Sequence, residues 1–467
     1  MQRIATLLWQ AYFPHAFMSS EPSAPSMPAN ARLFVWFRLL FNCRFYYPVY
    51  TVLFLDFGLN LEQFAILNVV WAVTIVLLEV PSGALADVVG RRNMVVLAAA
   101  LMVVEMIVFA MLPVGGPWVF WVFMVNRVIS GAAEAMASGA DEALAYDSIS
   151  KEQQTETWPR VMARLSRWMA LGFIVSSLIG AFVYDASSVN RALYSVGWEN
   201  AALPKETTLK FPIYLCVFTA LVCLGVTLAM REPQGGGAAH PSFRENVRAS
   251  WRGIREAGLW IWRTPVPLLL LTLGFLLDSI VRLFYTVASN FYRLIGLTEA
   301  SFGVISVLSS LAAFFTTHWM EWLVRQRSAK FNFALVIAMV SWGLILVAHP
   351  LAGWWGILAI APLLLSMRFF QFFLSHYLNE ATSSERRATV LSFRGMTTNL
   401  AYGAVTLLFG WQTAHLSGRL GVGSEDLRVF AAALTWWPWW FGGTMVAYVV
   451  FRTWRLRKAG PPPKDKG

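Results

Sequence analysis

Long apolar runs dominate the sequence and restrict its fold more than any other feature. A helix needs about 20 mostly apolar residues to cross a bilayer, and about twelve such runs follow one another along the chain. They are too long and too evenly apolar for the roughly ten-residue alternating strands of a membrane β-barrel. The sequence therefore predicts an all-α polytopic membrane protein with about twelve transmembrane helices. The runs fall near residues 31–56, 62–86, 93–112, 117–145, 160–184, 211–230, 266–290, 300–324, 331–349, 354–378, 388–412 and 429–452.

The composition excludes a soluble protein. Hydrophobic residues make up 57% of the chain and charged residues only 13%, whereas soluble domains are about 25% charged. A soluble enzyme, a disordered protein and a fibrous protein are therefore excluded. The net charge of +11 comes mostly from short loops between the apolar runs, so no nucleic-acid partner is expected. The three cysteines lie within apolar runs and predict neither a disulfide framework nor a metal site.

Loop charge predicts the orientation in the membrane. Cytoplasmic loops of membrane proteins are enriched in Lys and Arg. If the N-terminus is inside, the inner loops hold Arg91 with Arg92 and Arg386 with Arg387, among many others. The outer loops are much poorer in basic residues. We therefore expect a multi-pass protein of the plasma (inner) membrane with both termini cytoplasmic.

The pattern of runs and linkers divides the chain into five segments. Pro and Ser are abundant between Ser19 and Asn30, which is typical of a disordered leader. A Pro-Gln-Gly-Gly-Gly breaker follows Glu232, and apolar residues then recur at helical spacing between Phe243 and Ile254. This pattern predicts an amphipathic helix on the membrane surface. The predicted segments are a disordered cytoplasmic leader (1–30), an N-terminal six-helix bundle (31–230), a cytoplasmic linker with an amphipathic helix (231–265), a C-terminal six-helix bundle (266–453) and a basic cytoplasmic tail (454–467).

The two halves of the chain resemble each other. Six residues of the first run and the loop after it recur 238 positions later. An internal repeat in a helical membrane protein points to a transporter whose substrate site lies at the repeat interface, near the midplane. The matched residues are Arg44, Tyr47, Val49, Gly58, Leu59 and Phe64 in the first half and Arg282, Tyr285, Val287, Gly296, Leu297 and Phe302 in the second.

The hairpin after the second run carries a charged glycine motif. Asp87 places a carboxylate at the inner end of its helix, where the helix dipole is unfavourable, so it needs a cationic or helix-N-terminal partner. Gly90 permits the sharp turn, and Arg91 and Arg92 then face lipid phosphates or a neighbouring carboxylate. Gly83 lets two helices approach closely.

Gly83, Asp87, Gly90, Arg91 and Arg92 match the signature G-x-x-x-D-x-x-G-R-[RK] of the major facilitator superfamily. The chain resembles that family over about residues 31–452. Arg127 and Gly131 also resemble its R-x-x-x-G pattern in the fourth helix. The resemblance implies two pseudo-symmetric six-helix bundles that rock about a central site.

In this family the motif acts as a conformational latch between the inner ends of the bundles. By analogy, Asp87 would face the start of the eleventh span near Ala388–Phe393, where the dipole is positive. Arg91 would reach Glu142 or Asp147 at the inner end of the fourth span. The predicted latch comprises Gly83, Asp87, Gly90, Arg91, Arg92, Glu142 and Asp147.

Charged residues deep in the runs are the candidates for the transport site. A charge at mid-bilayer costs at least about 2.5–3.5 kcal/mol and usually faces a cavity or a partner. Arg127 and Glu134 lie seven apart on one helix face, where they can form a brace, and Asp278 and Arg282 are four apart and can pair. Glu105 is interpreted as structural. The candidates for the substrate cavity and proton coupling are Arg44, Arg127, Glu134, Asp278, Arg282 and Arg368.

These features predict a secondary active transporter that moves a small organic solute by alternating access. Glu134 or Asp278 is the expected proton carrier, and the arginines can bind an anionic group of the substrate. Proton-coupled efflux is the first interpretation, from resemblance to bacterial efflux members. The alternatives are an importer or exchanger of an organic anion and a non-transporting sensor of the same fold. We expect a monomer in the lipid bilayer with no enzymatic activity, cofactor or metal.

Overall fold

The computed structural model describes residues 27–198, 202–233 and 243–459. Within these ranges the regular secondary structure is helical and contains no β-strand. The predicted leader (1–30) and basic tail (454–467) lie partly outside the described residues, and the glycine breaker lies wholly outside them. Below, "inner" and "outer" denote the two sides predicted from loop charge.

Nine helical segments in the described part of the chain are long and apolar enough to cross a membrane. They correspond to the second to tenth predicted runs. The α-helices, numbered in chain order, are α1 (Ala29–Asn42), α2 (Tyr50–Asp56), α3 (Leu61–Val89), α4 (Arg91–Met111), α5 (Val119–Ala137), α6 (Ala140–Asp147), α7 (Gln154–Tyr184), α8 (Ala186–Ser195), α9 (Lys205–Thr208), α10 (Phe211–Leu228), α11 (Phe243–Arg263), α12 (Pro265–Leu294), α13 (Glu299–Gln326), α14 (Ala329–Ala348), α15 (Gly353–Ala359), α16 (Ala361–Glu380), α17 (Ser384–Leu420), α18 (Leu427–Leu434) and α19 (Trp437–Ala459).

The other three predicted runs are helical but irregular. The first run is broken, because α1 ends at Asn42, a 3₁₀ turn covers Tyr47–Val49 and α2 starts at Tyr50. Pro48 lies in that turn, and a proline lacks the N–H that a continuous helix requires. The eleventh run forms part of the 37-residue α17. The twelfth run is divided between α18 and α19.

Helices α3 and α17 pack side by side across the interface between the N-terminal half (27–233) and the C-terminal half (265–459). A Cβ atom added to Gly410 would lie 2.8 Å from the Cβ of Ala65, and one added to Gly403 would lie 3.8 Å from the Cβ of Ala72. Small residues at seven-residue steps let the two backbones approach closely. The halves are therefore in contact along these helices.

Helices α7 and α13 form a second contact between the halves. A Cβ atom added to Gly303 would lie only 2.4 Å from the carbonyl oxygen of Ser177. No real Cβ atom sits so close to a backbone oxygen, so this crossing requires glycine. The contact lies near the outer ends of both helices.

The linker segment forms the helix α11 that its periodicity predicts. Part of the apolar face of this helix packs on the protein, and part of it is exposed. Ala257 and Ile261 are buried against the protein, and Ile254 packs on helices of both halves. Phe243 and Trp251 remain 40% exposed. Part of the predicted apolar face, at Ile254, therefore contacts protein, because the inner ends of the two halves offer apolar surface that the sequence does not reveal. The position of the helix on the membrane surface stays a prediction.

Candidate transport site

A buried ionic cluster lies in the N-terminal half. Glu105 on α4 is fully buried and accepts hydrogen bonds from Arg44 Nη1 at 3.1 Å and from Arg127 Nη2 at 3.3 Å. Arg127 Nη2 also donates to Asn126 Oδ1 at 2.9 Å. Two guanidinium groups thus share one carboxylate, and the cluster carries a net positive charge inside the protein.

Arg127 forms an interhelical brace with Glu105, but Glu134 takes no part in it. Seven residues separate Arg127 and Glu134 by about 10 Å along the helix axis, whereas Glu105 on the packed helix α4 lies within hydrogen-bond distance. Arg44 and Arg127 were predicted to line the cavity, but they are only 5% and 3% exposed. The interpretation of Glu105 as structural agrees with this geometry.

The C-terminal half contains the ion pair expected from helical spacing. Asp278 Oδ2 lies 2.6 Å from Arg282 Nη2, and Arg282 Nη1 donates to Asn399 Oδ1 on α17 at 2.9 Å. The guanidinium also lies over the ring of Tyr402, 5.4 Å from its centroid. Asp278 is buried, while 28% of the Arg282 side chain is exposed. This arginine therefore has one surface that can contact a solute.

A chain of polar contacts joins the two charged clusters across the interface. Arg127 Nη1 donates to Tyr50 Oη at 3.4 Å, and Tyr50 Oη donates to Asn68 Oδ1 at 3.0 Å. Tyr402 Oη donates to the same Asn68 oxygen at 3.4 Å and lies 2.9 Å from Thr286 Oγ1. Such networks are sensitive to small displacements because each member depends on its neighbours. Movement of one half against the other must break or shift this chain.

The break between α1 and α2 also provides hydrogen bonds across the interface between the halves. The first N–H groups of a helix have no partner within the helix. At the start of α2, the N–H groups of Thr51 and Val52 donate to Ser289 Oγ of the other half, at 3.0 and 3.2 Å. Thr51 Oγ1 donates to the carbonyl oxygen of Thr286. Pro48 therefore creates free donors that the C-terminal half satisfies.

Three charged side chains of the central helices have no ionic partner among the described residues. Glu134 is exposed and lies close enough to Tyr47 to interact electrostatically. Arg368 is exposed, and its charge acts on Tyr285, the repeat counterpart of Tyr47. Arg394 on α17 is half-buried and near the Asp278–Arg282 pair. Together they add one negative and two positive charges to the interior.

Tyr47 and Tyr285 indicate that this interior is open to water. Their side chains are 50% and 39% exposed, although Tyr285 belongs to α12, the most buried of the nine candidate spans. An exposed residue on so buried a helix faces a space between helices. Tyr285 Oη donates to the carbonyl oxygen of Leu364, one helical turn before Arg368. Arg368 therefore points towards the same space.

At the inner side, the hairpin motif is held mainly by Glu232. Gly90 adopts a φ of 96°, which favours glycine. The N–H groups of Arg91 and Arg92 donate to Glu232 Oε1 and Oε2 at 3.1 and 2.9 Å. The Arg91 guanidinium pairs with Asp147, one of the two carboxylates expected there. Sequence reasoning missed Glu232, although a carboxylate just after the sixth span, opposite a helix N-terminus, is a usable signal.

The remaining residues of the predicted latch have few contacts. Glu142 is exposed, and Gly83 would offer open space to an added Cβ atom. Asp87 is exposed and forms no hydrogen bond or ion pair with the described residues. The seven-residue steps of the α3–α17 contact place Asp87 level with Ala388, in the first turn of α17. The role of these residues as a latch stays a prediction.

A four-charge ring joins the halves at the outer side. Arg293 donates to both oxygens of Asp56, at 2.8 and 2.9 Å, and to Glu299 at 2.7 Å. Lys205 donates to Glu299 at 3.0 Å and lies 4.0 Å from Asp56. Tyr184 Oη completes the cluster by donating to Asp56 at 2.5 Å. Each cation thus contacts one carboxylate from each half.

Sequence reasoning did not identify this outer ring. The four charged residues lie at the ends of four different helices, and only the fold brings them together. A pocket of about 400 Å³ adjoins them. Nearby, burial alone would raise the pKa of Asp185, but hydrogen bonds from Ser187 and Ser188 lower it. The charged Asp185 carboxylate accepts the Ala300 N–H at 3.4 Å.

The described residues contain no cluster of His, Cys, Asp or Glu that could hold a metal ion. The fold is a polytopic bundle whose two halves meet around charged interior side chains. These features define a polytopic helical membrane protein built from two halves. The sequence profile of the Major Facilitator Superfamily matches residues 34–406. The chain belongs to this superfamily, and the resemblance noted in the sequence is confirmed.

Solved structures with the same fold are distant in sequence. The chain is similar to a bacterial homolog of the human lysosomal transporter Spinster in an inward-facing, unoccupied conformation, with a TM-score of 0.66 and 13% identity over 94% of this chain and 100% of that one. It is similar to the nucleoside transporter NupG, with a TM-score of 0.65 and 10% identity over 91% and 98%. The peptide transporter POT gives 0.62 and 14% over 92% and 95%. No curated protein sequence matches the chain.

Proposed function

We propose that this protein is a proton-coupled secondary transporter of small organic solutes that carry an anionic group. The observation that carries the proposal is the unpaired interior charge. Among the described residues, Arg368 and Arg394 have no carboxylate within ion-pair distance, and Glu134 has no cation within that distance. Arg394 lies on α17, which contacts α3 of the other half. This arrangement suits an anionic solute and a proton as the two partners of one transport cycle.

The arginines supply the chemistry of solute binding. A guanidinium group presents a planar set of donors that matches a carboxylate or phosphate, and such charge-assisted bonds are stronger than neutral ones. Arg282 is already engaged by Asp278, so Arg368 and Arg394 are the better candidates for direct contact. Arg44 and Arg127, buried with Glu105, maintain the positive potential of the site.

Glu134 is the better candidate for the proton carrier. Asp278 is held by Arg282 at 2.6 Å, so its protonation would break an ion pair. Glu134 has no such partner, and its protonation removes one negative charge from the interior. An anionic solute then binds more tightly, and by reciprocity the bound solute favours the proton. This sign of coupling favours symport, and hence uptake of an organic anion, over the efflux that the resemblance suggests.

A binding screen with matched variants tests the solute class. Thermal shifts of the purified protein at pH 6 would be measured with organic acids, neutral sugars, nucleosides and organic cations. We expect only anions to stabilise the protein. Loss of a charge-assisted bond worth about 1.5–3 kcal/mol in Arg368→Gln or Arg394→Gln should weaken anion binding about 10- to 150-fold. Arg419→Gln, an exposed arginine at the end of α17, is the control. Stabilisation by neutral or cationic solutes, unchanged in these variants, would contradict the proposal.

A further inference from the structure

The linker helix α11 has an inner face that bridges the two halves. Ile254 packs in one cluster with Val76 and Val80 of α3 and with Met396 of α17. A Cβ atom added to Gly258 would lie 3.0 Å from the ring of Phe393, also on α17. The helix therefore lies against the inner portions of one helix from each half.

The C-terminal end of the same face is fixed more firmly. Ile261 is 3% exposed and packs with Leu268 of α12 and Val390 of α17. The guanidinium of Arg386 lies over the ring of Trp260, 5.3 Å from its centroid. At 100° per residue, Ile254, Gly258 and Ile261 share one side of the helix. This side is already occupied by the protein.

The opposite side of α11 is basic and largely exposed. Four of its arginines recur every three or four residues, and a fifth follows eight residues later on the same side; none makes an ion pair or side-chain hydrogen bond with the described residues. Three large apolar side chains lie between these arginines. The exposed fractions of Trp251, Leu259 and Trp262 are 40%, 47% and 56%. The basic stripe comprises Arg244, Arg248, Arg252, Arg255 and Arg263.

This outer face has the chemistry of a membrane interface. Arginine heads bind lipid phosphates, while their aliphatic stems and neighbouring tryptophans settle among the upper acyl chains. Both ends of α11 are tied to membrane spans, since α10 precedes it and α12 begins two residues after Arg263. The basic C-terminal end of α19 lies alongside, where Arg455 stacks over Trp262 at 5.4 Å. The helix is therefore held at the level of the inner headgroups.

We propose that the outer face of α11 binds the headgroups of anionic phospholipids. The stripe carries five positive charges, and the two acidic residues of the helix, Glu245 and Glu256, lie along one edge of it and leave its net charge positive. Neutral headgroups would leave this charge uncompensated, whereas an anionic leaflet attracts each basic residue near its surface. Because the inner face contacts α3 and α17, bound anionic lipid also restrains the inner ends of both halves. The charge of the leaflet therefore influences how readily the inner ends of the two halves move apart.

The expected effect follows from the number of arginines removed. Each basic residue near an anionic surface contributes about 1 kcal/mol, and 1.4 kcal/mol corresponds to a tenfold change in an equilibrium constant. The triple variant Arg248→Gln, Arg252→Gln, Arg255→Gln should therefore weaken the attachment of α11 to anionic lipid about 100-fold. The three side chains are exposed and make no ion pair or hydrogen bond with the described residues, so the fold should be unaffected.

The test uses the full chain in nanodiscs of neutral phosphatidylcholine with 0, 20 or 40% phosphatidylglycerol. Hydrogen exchange is followed for backbone amides of residues 243–263. In the unmodified protein, exchange should slow at least tenfold as phosphatidylglycerol rises, and 0.5 M NaCl should reverse the effect. The triple variant should lose this response. The control Arg325→Gln, Arg327→Gln, Lys330→Gln removes the same charge from an exposed turn on the same side and should retain it.

Three results would overturn the proposal. The first is equal exchange of the unmodified protein in neutral and anionic nanodiscs. The second is equal loss of the response in the control, which would assign it to general surface charge. The third is faster exchange of the triple variant in neutral nanodiscs, which would show that the arginines hold the helix on the protein instead of on lipid.

Discussion

Replacing Arg293 with Gln tests whether the outer ring holds the two halves together. Arg293 makes two parallel hydrogen bonds to Asp56 of the other half, at 2.8 and 2.9 Å. Charge-assisted bonds contribute about 1.5–3 kcal/mol each, but both side chains are partly exposed, at 27% and 18%, which weakens them. The Lys205–Glu299 ion pair remains in the variant. We therefore expect the substitution to destabilise the conformation in which the outer ends of the two halves are in contact by about 2 kcal/mol. That energy corresponds to a shift of about 30-fold towards outward opening.

Thiol labelling reports this opening directly. Ser289 is 3% exposed and lies one helical turn inside the ring. In a background with the three native cysteines replaced by alanine, Ser289→Cys would be labelled from outside with a membrane-impermeant maleimide. Arg293→Gln should raise the labelling rate about 30-fold. Arg191→Gln, an exposed cation on outer helix α8, should leave it unchanged. If Arg293→Gln labels within twofold of its parent, the ring does not close the outer side.

Three further predictions concern the buried cluster, the glycine contact and the hairpin. Glu105→Gln leaves two buried arginines without a carboxylate, so it should destabilise the protein by about 3–5 kcal/mol in a melt in detergent, while Glu134→Gln should melt like the unmodified protein. Gly303→Ala places a Cβ atom 2.4 Å from the Ser177 oxygen, so it should raise outward labelling of Ser289→Cys; an unchanged rate would refute the need for glycine. Asp87→Asn should impair transport and leave solute binding largely intact, and loss of binding would contradict the predicted latch.

Local sequence patterns predicted the features that depend on one helix. The spans followed from run length, and the Asp278–Arg282 pair followed from a spacing of four residues. The amphipathic character of α11 followed from its periodicity. These features need no knowledge of neighbouring elements. Nine of the twelve predicted runs are candidate spans in the described part of the chain, and the ion pair and the linker helix are both present.

Features that depend on two or more helices were not predictable in this way. Arg127 has Glu134 on its own helix face, yet it bonds Glu105, because the packing of α4 against α5 decides which carboxylate is near. The outer ring joins residues as far apart in sequence as Asp56 and Glu299, which only the fold brings together. Ile254 on the apolar face of α11 likewise packs on protein, where the sequence suggested contact with lipid.

Proton flux in liposomes tests the central claim most directly. The purified protein would be reconstituted with an internal pH dye, and organic anions that bind in the screen would be added outside at a defined pH gradient. The account predicts substrate-dependent acidification of the lumen, which Glu134→Gln abolishes and Asp278→Asn retains. Flux of the opposite sign would establish antiport and the efflux interpretation. Uptake of the bound anion without proton movement, or a pH-gradient dependence that survives Glu134→Gln, would contradict the proposed coupling.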